Sequence, residues 1–305
     1  MGSQKITPFM STLYTHQSEN VHRTWFLFGA FLVLVIALGW IISQVYDEQV
    51  ILYISVAFAL GMNFFSYWFS DTITIKLSRA RPVERSEEPE LYRVVENLSI
   101  TAGLPLPKIH VIDDPAPNAF ATGRNKEHAA VAVTSGLLSM MTRTELEGVL
   151  AHELSHVGNR DILVSTIAVV LAGFLSILSD IFLRSLWWGG GRRSRDNEGG
   201  GVFAIVGIVL AILAPIFGTL MRLAISRKRE YLADASGALL TRYPEGLASA
   251  LEKIGQYNVP MQHPINATAH LFFSNPFGAG RRTFAGLFST HPPIEDRIRI
   301  LRGME

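Results

Sequence analysis

Four long apolar runs limit what this chain of 305 residues can fold into. They cover about residues 24–45 (TWFLFGAFLVLVIALGWIISQV), 50–69 (VILYISVAFALGMNFFSYWF), 162–183 and 202–223. An α-helix needs about 20 such residues to cross a bilayer, so each run is long enough to span one. The first two carry almost no ionisable groups. The third contains Ser165, Thr166, Ser176, Ser179 and Asp180, and the fourth contains Gly207, Pro215 and Gly218. These residues suit spans whose polar side chains face a bundle interior; the other reading is a pair of buried helices in a soluble domain. Two runs of this length beside two clear spans most simply form a second hairpin. Composition agrees, because only 17% of residues are charged, against about 25% in a soluble protein. A cleaved leader does not suit the first run: it is too long, starts far from Met1, and has no small-residue cleavage site before Tyr46, Asp47 and Glu48.

Residues 1–69 therefore form an N-terminal segment and first hairpin, and residues 162–223 a second hairpin with a glycine-rich loop. Residues 70–161 and 224–305 are the two halves of one hydrophilic domain. An even number of crossings separates the halves, so both lie on one side of the membrane. Lys76, Arg79, Arg81 and Arg85 follow the second run, and Arg222, Arg227, Lys228 and Arg229 follow the fourth, whereas the loop between the first two holds Asp47 and Glu48. Positive charge favours the cytoplasmic side, so the domain is expected to face the cytoplasm. Arg192, Arg193 and Arg195 run the other way, offset in part by Asp196 and Glu198. A net charge of +1 offers no basic surface for nucleic acid, and with no cysteine any metal must be held by His, Asp or Glu.

Within the first half, residues 90–102 have helical spacing and stop at Gly103. Lys108–Ile112 alternates as a strand, and Asn118–Thr122 with Ala129–Thr134 read as an antiparallel hairpin. Next comes TRTELEGVLAHELSHVGNR, residues 142–160. Thr142 followed by Glu145 is a capping box that starts a helix. His152 and His156 then stand at i and i+4, on one face, where two imidazoles can share one metal ion. Glu153 is turned by about 100° around the helix, placed to take a proton from a nearby water. The bland alternative is a surface helix with two solvated histidines.

A catalytic site of this type needs a third protein ligand. Ile162 and Asn159 rule out the extended HExxHxxGxxH pattern. Downstream, Glu230 and Asp234 share a helical face in SRKREYLADASGALL; they read equally well as a ligand with a histidine-orienting acid or as solvated acids balancing the neighbouring cations. His110, His128, His263 and His270 have no partner at ligand spacing.

HELSH, a hydrophobic hairpin, REYLADASG and STHPPIEDRI, in that order and preceded by NAFATG, resemble the HtpX-like membrane zinc metalloproteases, relatives of the CAAX prenyl endopeptidases. The resemblance implies a mainly α membrane protein with about four transmembrane helices and a zincin-like α+β catalytic domain carrying a small antiparallel sheet. It implies one Zn2+ per subunit on His152, His156 and Glu230, with Glu153 as catalytic glutamate and Asp234 orienting a histidine. It places His291 and Arg297 near the active site as candidate oxyanion donors, and Asn118, Ala119, Phe120 and Ala121 as an edge strand along which substrate lies. A polypeptide-cleaving enzyme of the bacterial inner membrane, serving envelope quality control and stress response, is the function it suggests. A processing protease for a single lipidated or peptide substrate and a non-catalytic zinc scaffold are the alternatives.

Overall fold

The computed structural model describes residues 13–189, 207, 227–265, 267–278 and 292–304. Two long helices come first, α1 (Leu13–Tyr46) and α2 (Gln49–Leu77), packed against each other and joined by a tight turn in which Asp47 takes a positive φ of 54°. Both are long and apolar enough to cross a membrane. Their outer surfaces expose Trp25, Phe26, Val33, Trp40, Tyr53, Ile54, Phe64 and Trp68, a large apolar surface that water would penalise and lipid accepts. Trp25 and Trp68 lie towards one end of the hairpin, Trp40 and Tyr53 towards the other. Fifteen residues separate the tryptophan and its counterpart in each helix, about 22 Å of rise. That spacing suits aromatic belts at two interfaces.

The third run falls in α6 (Asp161–Gly189). Ile162, Val164, Ile167, Ala168 and Leu171 are buried in it, and Leu163, Val164, Ile167, Ala168 and Leu171 form one cluster with Leu27 and Phe31 of α1. With the preceding helix α6 makes a pair bent by 84°, and counting that pair as one span brings the crossings to three by length and composition. The glycine-rich loop beyond Gly189 and the fourth run, Gly207 apart, lie outside the described residues. The described residues thus contain two helices that qualify alone, where four spans were expected.

Between α2 and α6 come β1 (Arg81–Pro82), α3 (Pro89–Ala102), β2 (Lys108–Ile112), β3 (Ala119–Gly123), β4 (Ala129–Thr134), α4 (Ser135–Met140) and α5 (Arg143–Gly158). After α6 follow α7 (Arg227–Thr241), α8 (Pro244–Gln256) and α9 (Ile294–Arg302). The sheet has the order β1-β2-β4-β3. The β3–β4 hairpin forms as expected, antiparallel with Phe120 opposite Ala132. The sheet as a whole is mixed, however, because β2 and β4 run parallel. After β2 the chain crosses to the far edge before entering β3, and β4 then returns into the gap beside β2 in the same direction. β3 is consequently an edge strand, and β4 is buried at the centre.

One core holds elements from both sides of the α6 insertion: Leu91, Val95, Val131, Leu150 and Leu154 pack with Leu247, Leu251, Phe273 and Leu301. α5 runs through its middle, against α3, α7, α8 and β3. Its capping box is complete: Thr142 N–H donates to Glu145 Oε2 at 2.7 Å, and Glu145 N–H donates to the Thr142 hydroxyl at 3.4 Å. Glu145 also accepts from Ser249 Oγ at 2.6 Å and Lys253 Nζ at 2.7 Å, tying the helix start to α8. Burial works to raise its carboxyl pKa, but Lys253, Ser249 and Thr142 hold it down at about 2, below an ordinary 4.5. A depressed carboxylate contributes stability above its unfolded pKa and loses it as pH falls towards the folded one. Thermal stability that depends on Glu145 is therefore expected to fade between pH 4.5 and about 2. At neutral pH, Glu145→Ala removes the cap and the buried carboxylate that Ser249 and Lys253 donate to, a loss of about 2 kcal/mol. Melting curves of both proteins across that pH range check this: the gap between them should close in acid.

Candidate metal centre and catalytic cleft

α5 ends at Gly158, and the chain turns through Arg160, held at a positive φ of 59°, into α6. Positive φ is unusual for a residue with a side chain. Here it swings Asp161 back beneath the last turn of α5. Asp161 Oδ2 lies 3.0 Å from His156 Nδ1. On the other histidine, His152 Nδ1 lies 2.9 Å from Asp234 Oδ1 on α7. Each imidazole thus has its Nδ1 on a carboxylate, which leaves the two Nε2 atoms to share a proton or to bind a metal. Those two atoms face each other at 3.1 Å. Two bare lone pairs at that distance repel, so a proton or a metal ion lies between them.

α7 supplies the third group. Glu230 Oε1 is 3.6 Å from His156 Nε2, and Glu230 Oε2 is 3.8 Å from His152 Nε2. These three residues form the cluster able to hold a metal among the described residues, with one donor atom from each lying within 4.8 Å of the others. Donors bound tetrahedrally at about 2.0–2.1 Å stand roughly 3.3 Å apart, so the triangle fits a metal with little adjustment. The surrounding charge fits as well. Glu153, Asp161, Glu230 and Asp234 are all buried, against the two buried guanidinium groups of Arg229 and Arg297. A divalent cation balances the remainder. Burial alone would depress His156, but the carboxylates of Asp161 and Glu230 overrule it and push its imidazole up to about 9. His152 is lowered to about 4 by burial despite Asp234, with His156 and Arg297 adding to the effect.

Glu153 lines the same narrow cleft, together with Ala121, Ser165, His270 and Phe273. Asp234 is gripped by Arg297, whose Nε and Nη2 donate to its two oxygens at 2.8 and 2.7 Å. Burial works to raise the Asp234 carboxyl, but Arg297 and His152 hold it at about 2. The Arg297 guanidinium also lies over the Phe273 ring at 4.8 Å, and that ring meets His152 edge-to-face at 5.1 Å. Arg297 therefore stands behind His152, on the Nδ1 side. His291 lies outside the described residues.

The edge strand is partly pinned. Asn118 exchanges hydrogen bonds with Ser274 at 3.0 Å in both directions. Phe120 is buried, edge-on to Phe272. Thr134 N–H donates to Asn118 C=O, so by alternation residues 119, 121 and 123 turn their backbone groups away from β4. Phe273 N–H takes the Ala119 C=O, and Gly123 N–H donates to Thr166 Oγ1. Ala121 lies between these two pins and faces the cleft.

Four residues of the cleft and its support carried no signal in the sequence. Asp161 follows the motif helix by a turn of unforeseeable direction. Phe273 and His270, whose Nε2 is 3.3 Å from the Ser165 carbonyl, arrive from an irregular segment. Arg229 reads as one cation in a basic run.

The profile of peptidase family M48 matches residues 85–305. A protein described as "Protease HtpX homolog" from Caldanaerobacter subterraneus subsp. tengcongensis is 45% identical over 298 residues, covering 96% of this chain and 98% of that one. A protein of the same description from Pyrococcus furiosus is 49% identical over 283 residues, covering 92% and 94%. Among solved structures, the S. mikatae Ste24p crystal structure superposes with a TM-score of 0.50 at 20% identity. That alignment covers 95% of this chain and 66% of the longer one, and it speaks to the fold alone. With its membrane helices and its His/His/Glu cluster, the chain belongs to peptidase family M48 and is a membrane-bound metalloprotease.

Proposed function

We propose that the chain is a zinc endopeptidase of the bacterial inner membrane, with its catalytic domain facing the cytoplasm, that cuts membrane or misfolded proteins as part of envelope quality control. The observation that carries the metal assignment is the convergence of His152, His156 and Glu230, one donor atom from each within 4.8 Å of the others, with each imidazole backed by a carboxylate. His152, His156 and Glu230 hold one zinc per chain; nitrogen and carboxylate donors in a three-ligand set with an open position suit zinc. Bound there, zinc supplies Lewis acidity towards a scissile carbonyl and makes water acidic enough to attack at neutral pH.

The chain's own residues do the rest. Glu153 accepts the proton of the attacking water and returns it to the leaving amine. Asp234 and Asp161 fix the tautomers of His152 and His156, and Arg297 anchors Asp234. A substrate in extended conformation pairs with β3 at Ala121, the open stretch of the edge, and that backbone pairing selects unfolded chains rather than a side-chain motif. His291 is assigned as the donor to the developing oxyanion. Polypeptides and the lipid bilayer are the partners; the basic residues beyond α2 and at the start of α7 support the cytoplasmic orientation.

The test is metal removal from the full chain purified in detergent. The expected result is one zinc per chain, loss of digestion of an unfolded polypeptide on chelation, and recovery when zinc returns. His156→Ala should bind no zinc at micromolar metal. Digestion by a metal-free preparation at the untreated rate would overturn the reading, and tight zinc without digestion would favour a scaffold.

A further inference from the structure

The metal ligand His156 is held by Asp161, and Asp161 is held in turn by a residue from the far end of the sequence. Asn20 belongs to α1, at the start of the first membrane helix, yet it is buried. Its Nδ2 donates to Asp161 Oδ1 at 2.7 Å and to the Asn159 carbonyl at 3.1 Å. Its Oδ1 accepts from Arg229 Nη1 at 2.9 Å. Arg229 adjoins the cluster residue Glu230 in α7, is itself buried, and approaches Asp161 Oδ1 at 3.5 Å. One amide thus meets the α5–α6 turn, the carboxylate behind His156 and the first turn of α7.

We propose that Asn20 is a positioning residue of the metal centre: its amide N–H fixes the Asp161 carboxylate, and Asp161 fixes His156, so that the first membrane helix completes the site. Three features favour this over simple helix packing. The amide satisfies donor and acceptor together, and its donor bond to Asp161 is the shorter. Asp161 Oδ2 would be free to rotate away from His156 Nδ1 if Oδ1 lost its partners. Asn20 stands at the start of the apolar span of α1 and Asp161 in the first turn of α6, so a shift of α1 in the bilayer is felt at His156. An apolar side chain at position 20 would leave Asp161 and Arg229 in direct contact, drawing the carboxylate away from the imidazole.

The inference rests on His156 being a zinc ligand, and its test separates the two ideas. Full-length wild type, Asn20→Leu, Asp161→Ala and the double variant are purified in detergent micelles. Zinc affinity is read by competition with a chromophoric chelator, and ligand geometry by the visible spectrum of the cobalt-substituted protein. Asn20→Leu is expected to weaken zinc about ten- to a hundred-fold and to alter the cobalt spectrum. In the Asp161→Ala background, Asn20→Leu should change neither, because a residue acting through another is silent once that one is gone. Asn20→Gln, which keeps an amide, should recover part of the affinity, and melting of the metal-free proteins reports whether the fold persists. Wild-type affinity and spectrum in Asn20→Leu would overturn the inference alone, as would additive losses in the double variant. A wild-type chain that binds no zinc would overturn the ligand assignment and this inference with it. If Asn20→Leu does not fold, Asn20→Gln and Asn20→Ser decide: their losses must vanish in the Asp161→Ala background, or the inference fails.

Discussion

Glu153→Gln is expected to digest an unfolded polypeptide about a thousand-fold more slowly than the parent, while still binding one zinc per chain. Glutamine preserves the size and packing of this buried side chain, and it removes the group able to accept a proton. General-base catalysis contributes about a hundred- to ten-thousand-fold, and little else of the site changes. Metal content stays because Glu153 is not among the three residues whose donor atoms converge. Steady-state digestion measured beside zinc stoichiometry separates the two roles. A variant that kept a tenth of the parental rate would remove Glu153 from the mechanism. One that lost its zinc would make Glu153 a structural support for the cluster.

The parts of the site legible in the sequence were those encoded within one helix turn. His152, Glu153 and His156 are fixed relative to each other by helical periodicity alone, and the capping box at Thr142 and Glu145 announces where that helix begins. Glu230 and Asp234 were legible as a pair on one face, but their convergence on α5 depends on how α7 crosses it. The hairpin of β3 and β4 was legible from alternation. That β4 lies beside β2, making the sheet mixed, was not, because nothing in a strand's sequence says which neighbour it takes. Asp161 and Asn20 mark the limit most clearly. Asp161 follows His156 by five residues and reaches it only because Arg160 adopts a positive φ of 59°. Asn20 lies 141 residues from the carboxylate it holds.

This division has a physical consequence for how the enzyme can be handled. The core of the hydrophilic domain is large and continuous, so a form lacking α1 and α2 could retain much of its packing. The support of His156, however, comes in part from α1, and the start of α6 carries Asp161. Secondary structure and metal affinity are therefore expected to part company when α1 is removed.

The second large effect comes from a residue with no functional group. Gly237 lies where α7 crosses α5: a Cβ added there would stand 2.9 Å from His152 N and 3.2 Å from both Ala151 C and His152 Cα. Those are backbone atoms of a buried helix, so neither can yield without moving an element. Glu230, Asp234 and Gly237 are spaced by four and three residues, which puts them on one face of α7. Any displacement that relieves Gly237 therefore moves the two acids away from His152 and His156. In an uncrowded helix, Gly→Ala stabilises by up to about 1 kcal/mol. Overpacking costs about 1–3 kcal/mol, so at this crossing the clash outweighs the propensity gain. Gly237→Ala is expected to melt lower than the parent and to lose about a hundred-fold in digestion rate, the scale of a 1 Å misplacement of catalytic groups. Gly61→Ala is the control, since a Cβ at that position of α2 meets nothing within 4 Å; it should leave digestion unchanged. Melting curves and rates of the two variants, side by side, decide the matter. A Gly237→Ala protein that is more stable than the parent and fully active would mean that α7 can slide on α5 without disturbing the cluster, and the rigid placement of Glu230 would have to be abandoned.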